Sequence, residues 1–262
     1  MAEQQIRFDD GAAYERMMGA WSKLAGEPFL DWLAPRPGLK WVDVGCGNGA
    51  FTELIVARTA PAEVQGIDPS DGQLAYARTR SGTAMAKFHK GDAMALPFAD
   101  HAFDVATMAL VIFFVPEPAK GVAEMVRVVA PGGQVAAYAW DMAGGGFPPQ
   151  PILTELRAMG FNPLRPPSAD ASKIEVLQQL WKDAGLVEVE TRRIDVQRSF
   201  VNFDDFWAAS TLSASMAPLF ASMAPDDIAR VKTRVRTQMG EDSAGRITRG
   251  AWANAIKGRL PG

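Results

Sequence analysis

The sequence contains few of the residues that form disulfides and metal sites. It has one cysteine, Cys46, and two histidines among 262 residues. A single cysteine excludes an internal disulfide and a multi-cysteine zinc site, and it fits a reducing compartment. No apolar run approaches the roughly 20 residues that span a bilayer, and the longest covers 105–115. We therefore expect neither a metal centre nor a transmembrane helix.

Positive charge is also limited, since 27 Lys and Arg residues face 30 Asp and Glu residues for a formal net charge of −3. This balance leaves no dominant basic face for nucleic acid. The first ten residues, MAEQQIRFDD, carry acidic side chains where a signal peptide has a basic and then an apolar stretch. We expect a cytoplasmic monomer or homodimer that binds a small molecule, with no nucleic acid and no membrane span.

Strand-like and helix-like segments alternate from residue 40 for about a hundred residues. This alternation predicts an α/β domain with a mostly parallel sheet and helices on both faces. Two later segments with alternating apolar residues would complete a seven-stranded sheet. The predicted strands are 40–44, 64–68, 85–89, 103–110, 134–140, 186–196 and 246–256.

A glycine-rich loop, Gly45-Cys46-Gly47-Asn48-Gly49, follows the first strand and leads into a helix. Glycines let the backbone turn tightly and approach a ligand at a helix N-terminus. Asp68 ends the second strand, where a carboxylate can accept hydrogen bonds from both hydroxyls of a ribose. Asp92 follows the third strand and can accept from an adenine amino group. The sequence therefore predicts a nucleoside site. The alternatives are a purely structural turn for the glycine loop, a helix cap for Asp68 and a turn residue for Asp92.

Asp43 distinguishes two classes of nucleoside. Gly45, Gly47 and Ala50 also fit the looser dinucleotide pattern, which would indicate NAD. Asp43 lies inside the first strand, where a dinucleotide fold usually has an apolar residue. A carboxylate there could order the loop and would favour a cationic sulfonium over a pyrophosphate.

Five motifs lie between residues 40 and 140. They are VDVGCGNG at 42–49, GIDPS at 66–70, GDAMALPF at 91–98, FDV at 103–105 and RVVAPGG at 127–133. Together they resemble the motifs of class I S-adenosylmethionine-dependent methyltransferases. The branch they resemble is the methyltransferase type 11 group, which includes the ubiquinone and menaquinone biosynthesis type. Residues 14–22 are similar to the amino-terminal element of many bacterial members.

The resemblance implies a Rossmann-like fold with strand order 3-2-1-4-5-7-6 and a helical cap insertion. It implies S-adenosylmethionine as cofactor and S-adenosylhomocysteine as product. We expect one methyltransferase domain over the whole chain, 1–262. Within it we expect an N-terminal helical lid at 1–35 and a cofactor-binding core at 40–140. We expect a substrate cap in two parts, at 141–185 and 199–245.

At the methionine end, the resemblance implies that Gly45-Cys46-Gly47 lies against the methionine part and that Asp68 holds the ribose. The backbone at Met108 would meet the reacting end of the cofactor. Tyr14 and Trp21 would close over the methionine portion.

At the adenine end, the resemblance implies that Pro69 and Gln73 flank the base. Asp92 would bind the amino group of the base. Ala93 and Met94 would lie beside the ring.

Methyl transfer from a sulfonium is an in-line displacement that depends on alignment and exclusion of water, so no acid or base is obligatory. Many relatives have two histidines after the fourth strand, where this chain has Phe113-Phe114. Any acid–base role of those histidines is therefore missing. If a proton must leave the acceptor, Tyr138 and Asp141 are the candidates for its removal.

Aromatic side chains outside the glycine-loop region can form an apolar acceptor chamber and hold a cation by their π faces. Packing in the core of the cap is the alternative for more than half of them. The candidate acceptor-binding residues are Phe113, Trp140, Phe203 and Trp207.

The acceptor class follows partly from missing motifs. Residues 107–110 read Thr-Met-Ala-Leu in place of the Asn/Asp-Pro-Pro-aromatic signature of many amino-group methyltransferases. Methylation of cytosine at C5 needs a cysteine nucleophile outside the glycine loop. Because the single cysteine, Cys46, lies in that loop, this mechanism is excluded. We expect a small, partly apolar acceptor that is methylated on carbon or oxygen. A non-catalytic binder of the sulfur nucleosides and an NAD-dependent oxidoreductase remain the alternatives.

Overall fold

The structure, a computed structural model, describes residues 15–211 and 216–262. Its seven strands form one sheet in the order β3-β2-β1-β4-β5-β7-β6. Strands β1 to β5 are parallel, and β7 runs antiparallel to both β5 and β6. The expected fold class and strand order are confirmed. The strands are β1 Lys40–Val44, β2 Glu63–Asp68, β3 Lys87–Lys90, β4 Phe103–Ala109, β5 Val129–Trp140, β6 Val187–Phe200 and β7 Ile247–Arg259.

A π-helical turn, Glu15–Gly19, precedes the first of nine α-helices in the described part of the chain. Short 3₁₀ turns at Ser81–Thr83, Ile112–Phe114 and Ala169–Ser172 connect some of the elements. The helices are α1 Ala20–Leu33, α2 Ala50–Thr59, α3 Asp71–Ala77, α4 Pro118–Val128, α5 Gln150–Ala158, α6 Ile174–Asp183, α7 Phe203–Thr211, α8 Ala217–Ser222 and α9 Pro225–Met239.

Helices cover both faces of the sheet. On one face the ring of Tyr138 in β5 packs 4.7 Å from the ring of Phe29 in α1 and 5.6 Å from that of Phe51 in α2. On the other face Gly258 of β7 leaves room for Trp181 of α6, since a Cβ there would lie 3.0 Å from the indole ring. Coverage on both sides explains why β4 is almost continuously apolar.

The cap differs from its prediction in one element. Helix α5 follows Gly144-Gly145-Gly146-Phe147-Pro148-Pro149, a run of glycines and prolines that predicts a loop and lid and not a helix. Pro149 and Pro151 lie at its start. Proline is tolerated there because the first N–H groups of a helix have no acceptor within the helix. Glu155 of α5 accepts a 2.6 Å hydrogen bond from the side chain of Gln238 in α9. The two cap segments therefore contact each other.

No helix among the described residues is long and apolar enough to cross a membrane. The described residues also contain no group of three or more histidine, cysteine or acidic side chains that could hold a metal ion.

Arg127 of α4 fixes the segment between β3 and β4. Its guanidinium donates hydrogen bonds to the carbonyls of Leu96 at 2.9 Å and Phe98 at 2.8 Å. It also pairs with the carboxylates of Asp100 and Glu124, each at 2.7 Å. Arg127 belongs to the fifth sequence motif, at 127–133. Its side chain thus holds the end of the third motif, at 91–98, against helix α4.

Arg127→Ala should lower the free energy of unfolding by about 2 kcal/mol, because two carbonyls and two carboxylates lose a charged donor. Urea unfolding, followed by circular dichroism, measures this change. Arg157→Ala on exposed α5 is the control and should stay within about 0.5 kcal/mol of wild type. Equal midpoints for the two variants would contradict the assigned role.

Candidate functional site

The glycine loop is hydrogen-bonded to the end of the neighbouring strand. The amides of Gly45 and Cys46 donate to the carbonyl of Ile67 at 2.8 and 3.0 Å. The carboxylate of Asp68 accepts from the amide of Gly47 at 3.0 Å and from that of Ser70 at 2.9 Å. Burial raises the pKa of Asp68, and these two amide bonds oppose the shift. Asp68 therefore lies between the glycine loop and the start of α3.

The loop glycines differ in the space around them. Gly45, Gly47 and Gly49 all have positive φ angles of 74°, 51° and 79°. A Cβ on Gly45 would lie 2.5 Å from Val111, whereas the nearest atom to a Cβ on Gly47 is the Gln73 Oε1 at 3.9 Å. The loop is closely packed at its first glycine and open at its second.

Gln73 is a buried residue with an unsatisfied side chain. It is 2% exposed, and neither Nε2 nor Oε1 has a hydrogen-bond partner within the described residues. Its backbone amide donates to the Ser70 hydroxyl, which caps α3. An unpaired buried amide costs about 1–3 kcal/mol. A ligand with both a donor and an acceptor would satisfy it.

Asp43 lies below the loop and is fully buried. Its Oδ2 accepts a 2.7 Å hydrogen bond from the Thr52 hydroxyl of α2, and its Oδ1 has no partner among the described residues. Burial raises the pKa of Asp43 to about 7, although the Thr52 bond opposes the shift. The carboxyl group therefore joins β1 to α2, and it does not reach the surface of the loop.

Cys46 packs behind the loop. A Cβ on Gly66 of β2 would lie 2.8 Å from the Cys46 Sγ. Burial raises the pKa of the Cys46 thiol. Its side chain is a packing group, so a ligand in the loop would meet only its backbone.

Asp92 lies in the turn after β3, at the same edge of the sheet as Asp68. Its Oδ1 accepts from the amide of Met94 at 2.9 Å. The amide of Gly91 donates to the carbonyl of Asp68 at 3.2 Å, so the two acidic turns are adjacent. Asp92 and Pro69 are exposed, and Ala93 and Met94 are half-buried. The structure thus brings the predicted adenine-side residues together.

The π-helical turn is attached to the glycine loop by contacts that the sequence analysis missed. Glu15 accepts a 2.8 Å hydrogen bond from the Asn48 side chain and pairs with Arg80. Arg80 also donates to the Asn48 carbonyl at 2.7 Å. Tyr14, which the resemblance placed over the methionine portion, lies outside the described residues.

Trp21 belongs to a buried aromatic cluster. It is 3% exposed, and its ring lies 6.2 Å from that of Trp140 and 6.3 Å from that of Phe200. Trp140 is 1% exposed, and its Nε1 has no hydrogen-bond partner within the described residues. Trp21 thus packs at the end of β5, beside the predicted acceptor region.

The residues near the predicted reacting end are mostly packed. Tyr138 is fully buried under α1. The carboxylate of Asp141 accepts from the Trp252 indole at 3.1 Å and from the Gly144 amide at 2.7 Å, which fixes the loop after β5. Met108 is buried near the end of β4. Tyr138 and Asp141, the two predicted candidates for proton removal, are thus both part of the packing and hydrogen bonding of this region.

Three predicted acceptor residues besides Trp140 lie in two places. Phe113 is buried against Phe114, with ring centroids 4.6 Å apart. Phe203 is fully buried in the cap, 6.1 Å from the half-buried Trp207. Trp207 in turn packs 5.5 Å from Phe220. Phe203 is surrounded by cap aromatics, which favours the packing alternative for this residue.

Comparison with known proteins gives consistent matches. A family described as a methyltransferase domain matches residues 42–137. The ubiquinone/menaquinone biosynthesis C-methyltransferase UbiE of Roseobacter denitrificans is 38% identical over 117 residues, 43% of this chain and 47% of that protein. A demethylmenaquinone methyltransferase of Clavibacter sepedonicus is 30% identical over 181 residues, 62% of this chain and 71% of that protein. The chain spans about half the length of the UbiE relative.

Solved structures share the fold at low sequence identity. The YcgJ protein of Bacillus subtilis has a TM-score of 0.60 at 16% identity, over 91% of this chain and 98% of that one. Phosphoethanolamine N-methyltransferase 2 of Haemonchus contortus, solved with S-adenosyl-L-methionine, has a TM-score of 0.58 at 17% identity. That match covers 95% of this chain and 56% of the other.

The buried carboxyl of Asp43 should make stability depend on pH. The pKa of Asp43 is about 7 in the folded state and 3.8 as the ordinary value of the group. Between these two pH values the folded state therefore binds more protons than the unfolded state. The free energy of unfolding should therefore fall as pH rises from about 4 to about 7. Asp43→Asn keeps an acceptor for Thr52 and removes the charge. We expect it to stabilise the protein by about 1–4 kcal/mol above pH 7 and to have little effect near pH 4.

Chemical denaturation across this pH range tests the expectation, with exposed Asp183→Asn as the control. A pH-independent difference between Asp43→Asn and wild type would contradict the assigned protonation behaviour.

Proposed function

The chain belongs to the class I S-adenosylmethionine-dependent methyltransferases of the ubiquinone and menaquinone biosynthesis type, and from this premise we propose its activity. It transfers a methyl group from S-adenosylmethionine to carbon or oxygen of a small, partly apolar acceptor. The observation that supports this most directly is the unsatisfied Gln73 amide, buried beside the open second glycine and close to Asp68.

The residues at the carboxyl ends of β1, β2 and β3 fit this cofactor. A carboxylate has about four acceptor positions, so Asp68 can accept two ribose hydroxyls besides its two backbone amides. The Gln73 amide and the second carboxylate oxygen of Asp92, Oδ2, can pair with the adenine edge. The open backbone at Gly47 gives the methionine portion close access. When bound, S-adenosylmethionine supplies a methyl group on a sulfonium.

The sheet also supports this choice over NAD. The classic dinucleotide order is 3-2-1-4-5-6, whereas here the antiparallel β7 lies between β5 and β6. The carboxyl groups of Asp43 and Asp68 lie beneath and beside the glycine loop. The ionised form of the buried Asp43 would disfavour a pyrophosphate in the loop and favour a cation.

On the acceptor side, the protein contributes orientation and exclusion of water. Trp21 and Trp140 form an apolar wall at the end of β5. Asp141 is used to fix the following loop, and Tyr138 is enclosed by Phe29 and Phe51. We therefore assign no general base. Holding the acceptor in line with the methyl group accounts for the reaction without one.

Asp68→Asn should weaken binding of S-adenosylhomocysteine about 10–100-fold, because hydrogen bonds to a charged acceptor contribute about 1.5–3 kcal/mol. Calorimetric titration measures this affinity. Asp71→Asn, three residues away and exposed, should bind like wild type. NAD should not bind to any of these proteins. Binding of NAD alone, or equal affinities for Asp68→Asn and wild type, would contradict the proposed site.

Transfer of labelled methyl groups to a panel of phenols, hydroquinones and carbon acids tests the reaction itself. Turnover on any of them supports the enzyme. Tight binding of the cofactor with no transfer to any acceptor would favour a non-catalytic binder.

Gln73→Leu should separate stability from binding. Removing two unpaired buried polar atoms should leave the free energy of unfolding unchanged or raise it by about 1 kcal/mol. The same change should weaken S-adenosylhomocysteine binding about tenfold, since the ligand loses its partners. Denaturation and calorimetry on one preparation measure both, with Gln197→Leu on exposed β6 as the control. Unchanged affinity in Gln73→Leu would contradict the role of this amide.

A further inference from the structure

The β6–β7 pair extends beyond the parallel part of the sheet. Trp140, the last residue of β5, pairs with Ala253 of β7. Pairing between β6 and β7 continues as far as Phe200 and Ile247. At about 3.3 Å per residue, Arg249 lies roughly 13 Å past the end of β5. The extension projects from the edge of the sheet where the carboxyl ends of the parallel strands lie.

Two arginines face each other on this extension. Arg198 of β6 and Arg249 of β7 are directly paired across the strands. Within the described residues, neither forms a salt bridge, because no acidic oxygen lies within 4.0 Å of either guanidinium. Directly opposed like charges destabilise a strand pair. The arrangement therefore has an electrostatic cost that no salt bridge within the described residues offsets.

The contacts of these arginines leave donors unused. Arg249 donates to the carbonyls of Pro148 at 3.0 Å and Phe147 at 3.4 Å. Arg198 lies over the Phe200 ring at 4.5 Å, and its Nη1 is buried without a hydrogen-bond partner in the described chain. Burial lowers the pKa of both guanidinium groups, with a smaller opposing effect of Asp205 on Arg198.

The pair lies on the acceptor side of the sheet. Side chains alternate along a strand, so Arg249 shares a face with Ala253 and hence with its partner Trp140. Phe200, under Arg198, is 6.3 Å from Trp21, which is 6.2 Å from Trp140. Trp140 also has a buried N–H donor with no partner among the described residues. Aromatic surfaces at the end of β5 and unused donors on the strand extension beyond it thus lie on one face of the sheet.

We propose, on the premise of the methyltransferase function above, that Arg198 and Arg249 bind an anionic oxygen group of the methyl acceptor. A carboxylate or a phosphate matches the planar guanidinium through paired hydrogen bonds. Its charge also relieves the repulsion between the two arginines. The acceptor is therefore an apolar molecule with an anionic group at the end away from the reacting atom.

Titration of benzoate, phenyl phosphate and benzamide into the 262-residue protein saturated with S-adenosylhomocysteine tests this inference. Benzamide is the neutral counterpart of benzoate. At least one anion should bind at millimolar concentration, and benzamide at least tenfold more weakly. The tighter of the two anions identifies carboxylate or phosphate as the recognised group.

Arg198→Gln should weaken binding of the anion at least tenfold, whereas Arg192→Gln, exposed on the same face of β6, should not. Thermal unfolding checks that the variant is folded, and Arg198→Lys serves in its place if it is not. The inference would be overturned if benzamide binds as tightly as the tighter anion, if neither anion binds, or if the Arg198 variant keeps the wild-type affinity for that anion. Each of these leaves the proposed function intact as long as S-adenosylhomocysteine binds. If S-adenosylhomocysteine does not bind, that result would instead contradict the proposed function. The anions would then be titrated into the protein without S-adenosylhomocysteine.

Discussion

Hydrogen bonds from three successive amides of the glycine loop to the end of β2 determine the geometry of the candidate site. Because β1 and β2 are parallel and pair Val44 with Ile67, the loop after one strand meets the acidic residue after the other. The amide of Gly47 then fixes the Asp68 carboxylate beside the opening of the loop. The absence of a Cβ at Gly66 is part of this arrangement, since one would collide with Cys46. A displaced β2 would move every proposed ribose and adenine contact.

Several buried polar groups in this junction and beyond it lack hydrogen-bond partners within the described residues. Gln73 has both side-chain atoms unpaired, Asp43 has one carboxyl oxygen unpaired, and Arg198 has one unpaired nitrogen in the described chain. Such groups lower stability unless a ligand satisfies them. Their distribution is informative because Gln73 lies beside the glycine loop and Arg198 at the far end of the acceptor region. Gln73 and Arg198 thus mark two ends of one proposed binding region, with the aromatic cluster between them.

The parallel core was predictable because its signals are local. Each strand is a short apolar run that ends in a turn, and the acidic residues that matter follow those strands directly. Contacts across long stretches of sequence were not predictable. Arg80 and Glu15 are 65 positions apart, and nothing in the sequence pairs them. The sequence ended β6 at Val196, two residues before Arg198, so the pairing of Arg198 with Arg249 was also missed. Helix α5 was missed because prolines at its start resemble a loop.

The central claim is that the junction between the glycine loop and β2 binds S-adenosylmethionine. A crystal structure of the protein with S-adenosylhomocysteine tests it most directly. The account predicts ribose hydroxyls on the Asp68 carboxylate, the base beside Asp92, and the Gln73 amide hydrogen-bonded to the ligand. Density for the nucleoside at another place, or a bound nucleoside that leaves Asp68 and Gln73 without contact, would contradict it.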